Sequence, residues 1–221
     1  MRVFSTSVGT KLLIGVTGFA LVFYLLIHIA GNLTVFAGQA FFNKYAFTLE
    51  SNPLIPVIEI GLLLIALIHV YKTVRMFVGN QQARPVSYKQ KKYAGKPSRK
   101  TFASSTMIFS GLWLVLFLIV HVPTFRSEKY EWAAGGRDLY RIEMEAFSNP
   151  LVVAFYVVSM LVVGSHLWHG SWSFLQSLGL DHPKWTPRFM TAGRVLAVAI
   201  AGGFIVIAIW AYFSQGGRVQ L

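Results

Sequence analysis

Four histidines, His28, His69, His121 and His166, lie one apiece in four different apolar stretches, each long enough to cross a bilayer. An imidazole at that depth is costly to keep without a partner, so each is read first as a functional group. The chain has no cysteine, which removes disulfides, thiolate metal sites and iron–sulfur clusters held by this chain alone. Histidine is then the leading metal ligand. If successive stretches cross in alternate directions, His28 and His121 fall in the outer half of the membrane and His69 and His166 in the inner half. The two layers then lie roughly 10 to 15 Å apart along the normal. One buried polar side chain in a bundle is commonly just an interhelical hydrogen bond, but two depth-matched pairs point further. Two imidazoles without a cysteine or nearby carboxylate do not complete a tetrahedral zinc site. They do fit the axial positions of a six-coordinate b-type haem, whose own nitrogens fill the plane.

Other residues could serve such a pair. At about 100° per residue, Thr17, Gly31 and Asn32 share a face with His28, and Ser110 shares one with His121, with Gly111 at its edge. Ser159, Gly170 and Ser173 share a face with His166, and Ala66 lies beside His69. Small residues leave room for a flat macrocycle, although close helix packing selects them too. Lys72 and Arg75, one and two turns past His69, could reach inner haem propionates, and Arg126 outer ones; plain interface anchoring explains all three equally well. His169, one turn from His166, could replace it as ligand, whereas His182 falls in a loop between helices. Glu59 is the one acid inside an expected span, and burial would raise its pKa and suit it to exchange protons with a quinol near the outer pair.

The elements that must position these residues follow from composition. Of 221 residues 55% are hydrophobic and 13% charged, with a mean hydropathy of +0.56, far from a soluble domain. Helical spans are expected at about 12–36, 54–78, 104–125, 150–174 and 193–213, with Pro53, Pro56 and Pro150 at helix starts. The expected fold is an all-α membrane protein, a five-transmembrane-helix bundle enclosing two b haems, as one domain over residues 1–221. The first span reads as an uncleaved helix and not a signal peptide. Fourteen of twenty Lys and Arg fall on one side and seven of eight acids on the other if the N-terminus is cytoplasmic. The net charge of +12 therefore reports topology and not nucleic-acid binding. The loop Gln81–Lys100 holds seven basic residues and no acid. It reads as a topology-setting segment at anionic lipid headgroups, or additionally as a dock for a soluble partner through Lys91 and Lys92. Arg126–Asn149, rich in Tyr and Trp, is expected to form a short interfacial helix around Asp138–Phe147.

These residues resemble a family. One histidine per helix, His28-Ile-Ala-Gly-Asn32, His121-Val-Pro-Thr-Phe-Arg126 and His166-Leu-Trp-His-Gly170-Ser-Trp172-Ser173-Phe174 are similar to the di-haem cytochrome b subunit of succinate dehydrogenase and fumarate reductase. The resemblance covers essentially the whole chain. It implies a multi-pass anchor of the bacterial inner (cytoplasmic) membrane that binds two haem b and passes electrons between quinone, menaquinone by this likeness, and an iron–sulfur subunit. A flavoprotein subunit would carry the succinate chemistry, for which this chain has no nucleotide-binding loop. The resemblance also places the axial ligands on His28, His69, His121 and His166 and favours His166 over His169. Some relatives carry a Glu two residues before the fourth ligand; Gly164 stands there here, which removes a proton route through that carboxylate. The competing readings are the cytochrome b anchor of another respiratory oxidoreductase and a non-haem transporter that relays protons through its histidines.

Overall fold

A computed structural model of the chain describes residues 6–83, 101–126 and 129–214. Within them the architecture is helical, apart from an isolated bridge between Glu131 and Arg137. Helix α1 covers Ser7–Asn32, with the Thr6 hydroxyl accepting from the Gly9 N–H at its start. It tightens into a 3₁₀ turn, Leu33–Ala37, and the chain reverses at Gly38, whose φ of 90° suits a residue without a Cβ. The short helix α2, Gln39–Glu50, follows. Helix α3 is Ile55–Gln82, α4 the single turn Phe102–Ser105, α5 Met107–Phe125, and α6 the short helix Leu139–Ala146. Helices α7, Pro150–Ser177, and α8, Thr186–Ser214, complete the fold.

Five helices are long and apolar enough to cross a membrane: α1 with its 3₁₀ turn, α3, α5, α7 and α8. They fall on the five expected stretches. Their ends differ because hydropathy tracks the hydrocarbon core, whereas hydrogen bonding continues past it. Thus α1 begins at Ser7 and not near 12, and α8 at Thr186 and not near 193. The expected interfacial helix is present as α6, with Asp138 accepting from the Arg141 N–H at its N-terminus. Helix α2 is an addition that the apolar stretches do not reveal, since its Phe42, Asn43 and Ala46 are buried against neighbours while the rest is polar or exposed.

Packing is uneven. Helices α7 and α8 form the densest pair, brought close by small residues. A Cβ on Gly164 would lie 3.1 Å from Ala201, and the Ser171 hydroxyl donates to the Gly193 carbonyl at 3.1 Å. Helix α1 packs on α3 and α7, and α5 on α7, while α3 and α5 meet along a thin seam. This makes a ring of α1, α3, α5 and α7 in which opposed helices barely touch, and α3 buries none of its residues. At one end α2 and α6 form a cap. Asn43 donates to Asp138 at 2.7 Å and accepts from the Tyr140 N–H at 2.8 Å, and Gln39 donates to the other Asp138 oxygen at 2.7 Å.

Candidate functional site

The four helices of the ring each carry one of the four histidines: His28 on α1 faces His121 on α5 across one diagonal, and across the other His69 on α3 lies within electrostatic range of His166 on α7. The words outer and inner follow the orientation expected from the charges. In the outer layer the His28 and His121 ring centres are 5.9 Å apart with planes at 87°. Two imidazoles holding one metal through bonds of about 2 Å have ring centres roughly 6 Å apart, so this separation already suits a shared metal. Tyr24 stacks on His28 at 5.4 Å and Phe117 on His121 at 5.1 Å, with Phe204, Phe125 and Tyr156 completing an aromatic shell.

The inner layer is built differently. The Thr17 hydroxyl donates to the Leu13 carbonyl at 2.6 Å, which leaves its oxygen to accept from Nδ1–H of His69 at 3.1 Å. The Ser110 hydroxyl likewise donates to the Met107 carbonyl at 3.0 Å and meets Nδ1 of His166 at 2.9 Å. Each hydroxyl thereby fixes the tautomer whose Nε2 carries a free lone pair, the arrangement metal-bound histidines use. Glycines edge both rings: a Cβ on Gly18 would come to 3.0 Å of His69 Cε1, and one on Gly111 to 3.7 Å of His166 Cε1.

Nδ1 is engaged in the outer pair too. Nδ1 of His121 meets the Tyr156 hydroxyl at 3.3 Å, and that of His28 meets the Asn32 amide nitrogen at 3.4 Å. The His28 contact differs from the other three: it is long, and the Asn32 amide nitrogen, which also donates to the His28 carbonyl at 2.8 Å, can only donate, so Nδ1 accepts there and the contact does not hold the ring proton on Nδ1. Among the described residues no hydrogen bond reaches Nε2 of any of the four. No group of three or more His, Cys, Asp or Glu able to hold a bare ion occurs among them either. Two-nitrogen sites of this kind suit a metal whose equatorial ligands come from elsewhere. The donor set therefore fits a haem.

Comparison with protein-family models, with curated proteins and with solved structures finds no match. What the site does must be read from its own geometry.

The remaining candidates separate. His169 is unlike the four ligand candidates: its Nδ1 is buried without a hydrogen-bond partner, and its ring meets Trp172 edge-on at 5.6 Å. Glu59 does not meet the expectation of a buried acid, for it stands in the second turn of α3, exposed, and forms an ion pair with Arg126 at 2.5 Å. Lys72 is half-buried and Arg75 exposed, both on the inner side of His69 on α3. His182 is exposed and accepts from the Lys184 N–H at 3.2 Å, a turn role. Thr17 and Ser110, read from periodicity as neighbours of His28 and His121, serve instead the ligands of the other layer on facing helices. Gly31 belongs to the cap, since a Cβ there would lie 2.8 Å from the Tyr45 hydroxyl. Ser159 accepts from the Trp113 indole at 3.1 Å. Lys91 and Lys92 lie outside the described residues.

Sequence reasoning passed over Glu143. It is 3% exposed on α6, and its Oε1 has no hydrogen-bond partner. The signal was available: Leu139, Ile142, Glu143, Ala146 and Phe147 form one helical stripe, which sets this acid among apolar residues.

Proposed function

We propose that this chain is a di-haem b membrane anchor that transfers electrons between quinone, of the menaquinone type, and the iron–sulfur subunit of a succinate dehydrogenase or fumarate reductase complex. The observation that carries it is the pairing across the ring: four histidines on four helices, two per layer, each with a polar contact at Nδ1 and, among the described residues, no hydrogen bond at Nε2. His28 and His121 would hold the outer haem, and His69 and His166 the inner one. Bound haem supplies one-electron chemistry at a potential set by its axial ligands and their surroundings.

The chain's own residues do the rest. Thr17 and Ser110 orient the inner imidazoles and, by accepting from Nδ1–H, make them more basic ligands. Tyr24 and Phe117 hold the outer ring planes by stacking. The apolar aromatic shell keeps water from the outer layer. Lys72 and Arg75 place positive charge at the inner boundary, suited to haem propionates. The charge asymmetry favours an N-terminus in the cytoplasm of a bacterium, with the basic loop of residues 81–100 on the face where an iron–sulfur subunit and its flavoprotein would dock. Haems at two depths would let electrons traverse much of the bilayer.

A reduced-minus-oxidised absorption spectrum of the purified chain tests this. Two haems per chain are expected, and each single substitution, His28→Leu, His121→Leu, His69→Leu or His166→Leu, should remove one and spare the other. A chain without haem bands would overturn the reading in favour of a proton-relay protein.

A further inference from the structure

The acid with the clearest unmet need lies in neither histidine layer. Two acids are buried in the outer cap, and Asp138 is satisfied, taking hydrogen bonds from Gln39, Asn43 and the Arg141 N–H. Glu143 is buried with Oε1 unpartnered. It stands on the inward face of α6, one turn before Phe147, whose ring meets that of Tyr156 edge-on at 5.0 Å. Tyr156 lies within electrostatic range of Glu143, and its hydroxyl meets Nδ1 of His121 at 3.3 Å. A carboxyl, a phenol and a ligand histidine thus run from the cap to the outer layer.

No charge offsets the burial. On α2 the charged groups are Lys44, exposed, and Glu50, which pairs with Arg137. On α5 the titratable group is His121, with Arg126, paired with Glu59, at its C-terminal cap, and among the described residues α8 brings only Tyr212 near this end. Burial alone pushes the Glu143 carboxyl up to about 8. It is therefore neutral in neutral water and charged only in alkali. A negative charge arriving nearby favours its neutral form further.

We propose that Glu143 is a proton-exchanging site serving the outer layer: in the alkaline range, where it is ionised, its carboxylate takes one proton from the outer water as one electron arrives at the His28–His121 pair, and releases it as that electron leaves. The electron is that of the proposed function, from quinol or the iron–sulfur partner, and the two added charges cancel. This rests on the di-haem reading. Tyr156 stands between the acid and the layer.

The test is a redox titration of the full chain in its membrane complex at a series of pH values around 8, with an infrared titration of carboxyl bands in parallel. In the wild type the outer midpoint should fall with rising pH through this range while the inner one stays flat. Glu143→Gln should flatten the outer response and remove a protonated-carboxyl band. If Glu143→Gln does not assemble, Glu143→Asp should keep the response and move that band. A wild-type response retained in Glu143→Gln, or a band unmoved in Glu143→Asp, overturns the proposal while leaving the di-haem reading intact. Absence of haem bands in the wild type brings both down.

Discussion

The two histidine layers solve one problem with different materials. In the inner layer each imidazole is steadied by an aliphatic hydroxyl on another helix and edged by a glycine, Thr17 and Gly18 for His69, Ser110 and Gly111 for His166. In the outer layer aromatic rings take that place, with Tyr24, Phe117, Phe125 and Phe204 around the pair and only Tyr156 and Asn32 offering polar contact. A hydroxyl already committed to a backbone carbonyl can only accept, so it fixes both the ring plane and the tautomer. Stacking fixes the plane and leaves the tautomer freer. The inner site is thus organised chemically and the outer one sterically. The wiring repeats: Thr17 and His28 on α1, and Ser110 and His121 on α5, are both eleven residues apart, so each helix lends one layer its histidine and the other its hydroxyl. Eleven residues make about three turns and roughly 16 Å, which returns a side chain to the same face one layer deeper.

The comparison breaks most readily at these hydroxyls. Thr17→Val and Ser110→Ala should weaken inner haem retention by about 10- to 100-fold and raise its midpoint potential, because the imidazole loses the acceptor that enriches it. The outer haem should be unchanged. Tyr156→Phe should act on the outer haem alone and more weakly, since its 3.3 Å contact is longer and the rings remain. Haem content and potentials of the three variants decide the matter, and an equal effect of Thr17→Val on both layers would end the distinction.

A finer separation lies within the inner layer. Alanine at Gly18 would bring its Cβ to 3.0 Å of His69 and force that ring to move, whereas alanine at Gly111 would sit 3.7 Å from His166, in ordinary contact. Gly18→Ala should therefore broaden or shift the inner haem spectrum and Gly111→Ala leave it as it is. Low-temperature difference spectra of the two variants make the check.

Much of this was legible in residues and much was not. Alternate crossing directions alone put the four histidines at two depths, and hydropathy marks all five long helices because lipid leaves the chain so few alternatives. Periodicity gives the face of a helix but not the neighbour it meets: Thr17 and Ser110 share faces with His28 and His121, while the imidazoles they touch, His69 and His166, lie on other helices. Gly31 could not be understood without α2, a short helix with no lipid-length signature, whose Tyr45 occupies the space beside it. The acids were sorted by the same blind spot. Glu59 lies in an apolar stretch yet is exposed, while Glu143 lies on a short polar helix yet is buried, because the cap formed by α2 and α6 encloses it.

That reversal between acids gives the smallest and most discriminating expectation. Glu59 and Arg126 are ion-paired at 2.5 Å, but their side chains are 42% and 63% exposed. An exposed pair contributes about 0–1 kcal/mol, since solvent screens it and two long side chains lose freedom in making it. A double-substitution cycle with Glu59→Gln and Arg126→Gln should find coupling within that range from thermal unfolding of the purified protein. The same variants should leave the outer midpoint and its pH response at wild-type values, because the acid is exposed, paired with Arg126, and carries no buried charge to the His28–His121 pair. If Glu59→Gln instead abolished quinol turnover or flattened that response, the proton site would belong at the boundary of α3 and α5, and the burial of Glu143 would be a matter of cap packing alone.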